Sequence, residues 1–165
     1  MKIAIGSDHA GYELKEEIVK FLQQNNYEVV DFGTCDTKSV DYPDYGIKVA
    51  EAVKNGDCEK GIVICGTGIG ISIVANKVPG IRAALCTNSF MARMSREHNN
   101  ANVLAIGARI VGLDLAIDIV DTWLKTDYLG DRHQKRLDKI EDIEKNMEDK
   151  RRIMRWKTFL YLIIL

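Results

Sequence analysis

The chain has 165 residues, 46% of them hydrophobic, and its acidic and basic residues nearly cancel to a formal net charge of -1. This length suits one domain with a full core and is short for two. Because the net charge is close to zero, no global field favours nucleic acid or an anionic membrane, and a bound anion needs a local cluster of donors.

The first residues run directly into an apolar strand pattern and carry no features of a signal peptide, which predicts a cytoplasmic protein. The four cysteines lack CxxC spacing, and the histidines lie far apart in the sequence. We therefore expect free thiols and no metal site. These residues are Cys35, Cys58, Cys65 and Cys86, and His9, His98 and His133.

Short β-rich apolar runs alternate with longer segments of helical periodicity. In chain order, the strands are predicted at 3–5, 29–32, 62–65, 83–86 and 103–106. The helices are predicted at 12–24, from about 43, and at 69–77, 89–98, 113–125 and 131 to about 150. This alternation predicts an α/β fold, a three-layer α/β/α sandwich around a Rossmann-like, five-stranded parallel sheet. Ligands of such sheets bind beyond the carboxyl ends of the strands.

Residues 150–165 differ from the rest of the chain, since a basic segment leads into a mostly apolar one. The apolar part is half or less of the ~20 residues that a membrane span needs. We interpret 1–149 as the functional domain and 150–165 as an atypical tail. The tail either packs on a partner subunit, anchors to a membrane surface as an amphipathic segment, or is a reading-frame artefact.

The strongest motif is a strand that ends at Cys65 and runs into a glycine-rich turn, Gly66-Thr67-Gly68-Ile69-Gly70, at the start of a helix. Glycines allow successive amide groups to point into one space, where the polarity of the helix end favours an anion. We therefore expect an oxyanion or a phosphate at this turn.

Three familiar interpretations of such a turn fail. In a dinucleotide-binding GxGxxG motif the third glycine would come one residue after Gly70, and a P-loop would end in Gly-Lys-Ser/Thr. A cysteine phosphatase needs an arginine where Ile71 stands. Because thiolates are stabilised near helix N-termini, Cys65 is a candidate base or nucleophile. The alternative is a small buried hydrophobic residue, which is our interpretation of the other three cysteines.

Acid–base groups occur elsewhere along the chain. Asp8 and His9 follow the first strand, and His98 ends the helix after the fourth, so with Cys65 we expect a proton-transfer set near the active edge of the sheet. The alternatives are a helix cap for Asp8 and a helix C-terminal cation for His98. Arg132 and Arg136, four residues apart, either grip a phosphate from one helix face or are ordinary solvated charges.

Four separated motifs occur in an order that identifies a family. They are Ile5-Gly6-Ser7-Asp8-His9-Ala10-Gly11, Tyr42-Pro43-Asp44-Tyr45, Cys65-Gly66-Thr67-Gly68-Ile69-Gly70 and Arg96-Glu97-His98-Asn99. Over residues 1 to about 147, the chain resembles the type B ribose-5-phosphate isomerases of the ribose/galactose isomerase family. That family also includes galactose-6-phosphate and allose-6-phosphate isomerases.

The resemblance implies a homodimer or a dimer of dimers whose active sites are shared across the interface. It implies that Cys65 takes the proton from C2 of the open-chain sugar, while Thr67 and the loop backbone at Gly66, Gly68 and Gly70 stabilise the enediolate. In the other branch of the family a glutamate base follows the last loop glycine. That position is Ile71 here, which favours Cys65 as the base.

The resemblance also assigns ring opening and substrate binding. Asp8 and His98 resemble the ring-opening groups, and Tyr42 and Asn99 those that bind sugar hydroxyls. The phosphate would be held by His9, Arg109, Arg132 and Arg136. The opposite subunit would contribute His98, Asn99, Arg109, Arg132 and Arg136.

The predicted reaction is the interconversion of D-ribose 5-phosphate and D-ribulose 5-phosphate, a step of the pentose phosphate pathway, without metal, nucleotide or redox cofactor. One alternative is that the main substrate is allose 6-phosphate, galactose 6-phosphate or a free aldose, since the depth of the pocket decides this. Another is a non-catalytic sugar-phosphate sensor. No nucleic-acid or membrane partner is expected.

Overall fold

The computed structural model describes residues 1–164, with the side chains of all of these except 151 and 155–164. The chain divides into two compact units, the first formed by Met1–Leu129 and the second beginning at Gly130.

The first unit alternates strands and helices throughout. Its strands are β1 (Lys2–Ser7), β2 (Glu28–Asp31), β3 (Lys60–Cys65), β4 (Ala83–Leu85) and β5 (Val103–Gly107). Its helices are α1 (Tyr12–Gln24), α2 (Pro43–Lys54), α3 (Ile69–Ala75), α4 (Ser89–Asn99) and α5 (Leu113–Lys125). The predicted strands and helices of this unit are confirmed, with ends that shift by at most a few residues.

The five strands form one sheet in the order β2-β1-β3-β5-β4, and every neighbouring pair is parallel. Ser7 is opposite Ile64, and Cys65 is opposite Gly107. The carboxyl ends of β1, β3 and β5 therefore lie side by side at one edge of the sheet. We call it the carboxyl edge, and the opposite one the amino edge.

Helices cover both faces of the sheet because successive strand residues alternate between two cores. Ile62 and Ile64 of β3 point to one core, which also contains residues of α1, α4 and α5. Val63 and Cys65 point to the other core, which contains residues of α2 and α3. The predicted three-layer α/β/α sandwich is confirmed.

The second unit consists of a 3-10 turn, Asp131–His133, followed by one long helix, α6 (Gln134–Ile164). The sequence predicted a helix that ends near residue 150, but α6 continues because no glycine or proline follows Gly130. An ion pair of 3.1 Å joins Arg152 to Asp149 within the helix. The division between 149 and 150 thus lies inside one helix and stays a prediction. None of the helices described is long and apolar enough to cross a membrane.

Candidate active site

Cys65 lies at the end of β3, with only 4% of its surface exposed. The backbone amide of Gly68 donates a hydrogen bond to Cys65 Sγ at 3.2 Å. An amide directed at the sulfur is the contact that a thiolate accepts. The first turn of the following helix, α3, adds amide groups that have no acceptor within the helix. The arrangement can therefore hold a reactive sulfur beside donors for a developing oxyanion.

Two structural requirements select glycine in the loop. Gly68 has a φ of +77°, and a Cβ there would lie 2.5 Å from Leu85 Cδ1 and 2.9 Å from the Gly107 amide nitrogen. Gly68 therefore lets the turn bend back toward Cys65 while it passes close to β5. Thr67, exposed on the same turn, accepts a 3.3 Å hydrogen bond from the Ile69 amide through Oγ1. Its hydroxyl is accessible from solvent beside the sulfur-bearing strand.

Asp8 lies next to the cysteine strand at the carboxyl edge, since its amide donates to the Ile64 carbonyl at 3.3 Å. Its carboxylate is buried, and Oδ1 accepts from the amides of Ala10 at 3.0 Å and Gly11 at 3.1 Å. Those contacts resemble the expected cap, but they precede α1, whose N-cap residue is Gly11. Within the described residues Oδ2 makes no hydrogen bond. Asp8 therefore combines a fixed orientation with a carboxylate oxygen available to a ligand.

His9 belongs to the same edge and is half-buried. His9 Nδ1 lies 3.2 Å from the Val40 amide nitrogen and 3.3 Å from the Val40 carbonyl oxygen, so it accepts from the amide or donates to the carbonyl according to the tautomer. Either contact fixes the ring against the segment before α2. The role of His9 in phosphate binding stays a prediction.

Arg109 follows β5, and its amide donates to the Gly66 carbonyl at 2.9 Å. A Cβ at Gly66 would lie 3.6 Å from Arg109 Nε. The exposed guanidinium therefore lies beside the glycine loop of its own chain, whereas we expected the opposite subunit to supply it. One chain thus brings Cys65, Asp8, His9, Thr67 and Arg109 to a single edge.

His98 and Asn99 do not lie at that edge. They end α4, which begins after the carboxyl end of β4 and runs back toward the amino edge. The helix is about 16 Å long. Arg82, directly before β4, donates to the carbonyl of Asn99 at 3.1 Å. The expectation that His98 joins Cys65 at one edge is therefore wrong for a single chain. Helix direction separates the two residues.

Arg132 and Arg136 belong to the second unit, and both are exposed. Arg132 lies in the 3-10 turn, where Nε donates to His133 Nε2 at 3.4 Å, and Arg136 lies in the first turns of α6. Their shared role in phosphate binding stays a prediction.

The other cysteines lack the loop amides that Cys65 has. Burial raises the pKa of the Cys86 thiol to about 11 and also raises the pKa of Cys58. Cys35 is exposed, and all four cysteines are free thiols. No cluster of three or more potential metal ligands occurs among the residues that the structure describes.

The structure adds contacts that spacing in the sequence did not suggest. The Tyr42 ring lies so close to Gly70 that a Cβ there would be 2.6 Å from Tyr42 Cζ. Tyr42 precedes α2, far from the loop in sequence, and only the packing of α2 on α3 brings the two together. Arg82, which the sequence analysis did not single out, contacts the end of α4. No local signal in the sequence marks either contact.

Comparison with known proteins agrees with this arrangement. Residues 3–140 match the ribose/galactose isomerase family. Ribose-5-phosphate isomerase B of Escherichia coli is 53% identical over 143 residues, which cover 87% of this chain and 96% of that protein.

Solved structures extend the likeness to the fold. Ribose-5-phosphate isomerase B of Clostridium thermocellum superposes with a TM-score of 0.88 at 70% identity, covering 89% of this chain and 99% of that one. The Mycoplasma genitalium enzyme, solved with bound ribulose-5-phosphate, superposes with a TM-score of 0.84 at 45% identity, covering 87% of this chain and 96% of that one. With the motif order, the parallel sheet and the cysteine loop in agreement, the chain belongs to the ribose/galactose isomerase family.

Proposed function

We propose that the chain is an aldose–ketose isomerase that interconverts D-ribose 5-phosphate and D-ribulose 5-phosphate. The observation that carries this proposal is the sulfur of Cys65, which accepts the Gly68 amide at the mouth of the glycine loop. The relatives named above are ribose-5-phosphate isomerases, and the Mycoplasma genitalium enzyme was solved with ribulose-5-phosphate bound. The reaction would serve the pentose phosphate pathway.

In the proposed mechanism, Cys65 removes the proton from C2 of the open-chain aldose and the proton is returned at C1. The intermediate is a cis-enediolate, whose negative charge falls on the oxygens of C1 and C2. Loop amides around Gly66, Gly68 and Gly70 stabilise that charge, and the Thr67 hydroxyl helps to move the hydroxyl proton. Donors that are already oriented stabilise such charge at little reorganisation cost, so no step needs a cofactor.

Ring opening precedes this step, because the sugar is mostly cyclic in solution. We assign it to Asp8 and His98, one to accept a proton and the other to donate one. Sugar hydroxyls are assigned to Tyr42 and Asn99. The phosphate is assigned to the cationic and imidazole side chains of His9, Arg109, Arg132 and Arg136.

These assignments require two copies of the chain. His98 and Asn99 end α4 near the amino edge, while Cys65 and Asp8 lie at the carboxyl edge. We therefore propose a homodimer in which α4 of one subunit completes the site of the other, and the dimer can pair further into a dimer of dimers. We also propose a cytoplasmic location, with which four free thiols agree, since a reducing compartment keeps cysteines reduced.

A coupled assay without added metal tests the substrate. The purified protein would be assayed on ribose 5-phosphate, allose 6-phosphate, galactose 6-phosphate and free allose. We expect the highest kcat/KM for ribose 5-phosphate. Preference for a six-carbon sugar would keep the mechanism but overturn the proposed substrate, and no turnover on any of them would favour a sugar-phosphate sensor.

Subunit mixing tests the shared site. Two inactive variants, Cys65→Ala and His98→Asn, would carry different affinity tags, so that mixed dimers can be purified through both. In a mixed dimer one site contains both mutations and the other contains neither. We expect about half of the wild-type activity for each mixed dimer, and absence of activity in proven mixed dimers would contradict a shared site.

A further inference from the structure

Arg82 binds the last turn of α4. Its Nε donates to the carbonyls of Asn99 at 3.1 Å and Asn100 at 3.2 Å, and its Nη2 donates to the Asn100 carbonyl at 3.1 Å. The last carbonyls of a helix have no partner within the helix. One guanidinium thus satisfies two such carbonyls with directed, charge-assisted bonds.

The backbone of Arg82 is itself fixed. Its amide donates to Asn102 Oδ1 at 2.8 Å, and Asn102 Nδ2 donates to the Gly80 carbonyl at 2.9 Å. The Arg82 carbonyl accepts from the Val103 amide at 3.4 Å, at the start of β5. The backbone of Arg82 is therefore fixed at the amino edge of the sheet. Its guanidinium joins that edge to the end of α4.

The end of α4 needs such support. Asn100 adopts a φ of +44°, in the left-handed region that side chains other than glycine occupy at a cost. A second arginine, Arg96, also contacts this segment: its Nη1 donates to Asn100 Oδ1 at 3.0 Å and to the Ala101 carbonyl at 2.6 Å. His98 and Asn99 are the last two residues of α4, directly before Asn100.

We propose that Arg82 is a positioning residue, which holds His98 and Asn99 in the orientation that completes the active site of the partner subunit. This inference rests on the proposed function, because it assumes that His98 and Asn99 act across the dimer. Arg82 does not touch the substrate in this account. It acts only through Asn99, whose carbonyl it binds, and through His98, the residue before Asn99.

The effect of losing Arg82 on each of the two active sites distinguishes a positioning role from a general structural one. Loss of Arg82 should impair the site to which its own chain donates His98, and leave intact the site that contains its own Cys65. A general loss of folding would instead impair both.

The first experiment uses Arg82→Met, which keeps much of the side-chain volume without the donors. Because water can replace the guanidinium at this partly exposed position, we expect a folded protein and a kcat/KM for ribose 5-phosphate reduced about tenfold, the equivalent of one charge-assisted hydrogen bond. Arg82→Lys should recover part of the loss. Arg93→Met is the matched control: Arg93 lies on α4 over the Phe90 ring, and its loss should leave activity unchanged.

The decisive experiment combines Arg82→Met with Cys65→Ala in mixed dimers. One site then contains an intact Cys65 and an intact partner α4, so activity should exceed that of the Arg82→Met homodimer about fivefold. Activity at or below that of the homodimer would overturn the proposal, as would an Arg82→Met enzyme with wild-type kcat/KM. If Arg82→Met does not fold, Arg82→Lys takes its place in the same mixture.

Failure of this proposal can be distinguished from failure of the shared site. Mixed dimers of Cys65→Ala and His98→Asn serve as the reference. If that reference regains activity but the Arg82→Met mixture does not exceed its homodimer, the positioning role alone is wrong. If neither mixture shows rescue, the shared site is wrong and the positioning role is wrong with it.

Discussion

The aromatic ring of Tyr42 covers Gly70 so closely that a Cβ at position 70 would lie 2.6 Å from Tyr42 Cζ and 2.9 Å from Tyr42 Oη. Gly70 is therefore selected by the approach of a side chain, whereas Gly68 is also selected by its positive φ. Because Tyr42 is assigned to a sugar hydroxyl, the contact links the glycine loop to the substrate pocket.

Gly70→Ala should displace the Tyr42 ring. Tyr42 is 38% exposed, so its ring can move aside at little cost in stability. The displaced hydroxyl would lose its bond to the sugar, and we expect KM for ribose 5-phosphate to rise on the order of tenfold, the equivalent of one lost hydrogen bond. Steady-state kinetics in the coupled assay measures the change. Gly112→Ala is the matched control, because a Cβ at Gly112 meets no atom within 4 Å and its φ is -75°. Equal kinetics for the two variants would contradict a role of Tyr42 in the pocket.

Lys60 makes stability depend on pH. Burial, followed by the nearby Arg96, lowers the pKa of Lys60 from 10.5 to about 8. Its Nζ lies 5.2 Å from the centroid of the Trp123 ring and donates to the Leu124 carbonyl at 3.2 Å. The folded state thus holds the lysine charge less readily than the unfolded state does.

Between about pH 8 and 10.5, the unfolded state binds more protons at Lys60 than the folded state does, so the Lys60 contribution to stability rises with pH. We expect the free energy of unfolding of the wild type to increase relative to that of Lys60→Met across this window. Urea unfolding at pH 7.5 and pH 10.5 measures the difference, and other groups cancel because both proteins carry them. A difference that is constant or falls with pH would show that burial does not penalise the charge.

Removal of residues 150–165 should leave catalysis unchanged. Every residue assigned to the site precedes position 137, and the match to the Escherichia coli enzyme covers 87% of this chain. A chain that ends at Asp149 should retain kcat/KM for ribose 5-phosphate within about twofold, because it keeps every residue assigned to the site. A larger loss in a truncated protein of unchanged oligomeric state, measured by light scattering, would assign the tail a role in the site.

The sequence predicted the fold closely because the signals that determine it are local. The bounds of α1 and α5 agree with the predicted ranges, since each helix has a clear apolar stripe between polar flanks. Parallel strands followed from the alternation of strands and helices. The predicted end of α6, near residue 150, was wrong because no capping residue or helix breaker occurs there.

Contacts between residues that are far apart in the sequence were harder to predict from it. The sequence identified Tyr42 and Gly70 separately, but their contact depends on how α2 packs on α3. Cys65 and His98 were expected at one edge because Cys65 ends a strand and His98 lies near the end of the helix that follows another strand. They are separated because α4 runs back from the carboxyl edge to the amino edge. Arg82 was missed, since an arginine before a strand has no distinctive local pattern.

The most direct test of the central claim compares Cys65→Ala with Cys35→Ala in the coupled assay on ribose 5-phosphate. Cys35 is an exposed cysteine and serves as the control. Loss of a general base should reduce kcat of Cys65→Ala by roughly 10²- to 10⁴-fold, while the melting temperature changes little and Cys35→Ala keeps wild-type activity. Near-normal turnover by a folded Cys65→Ala protein would contradict the assignment of Cys65 as the base.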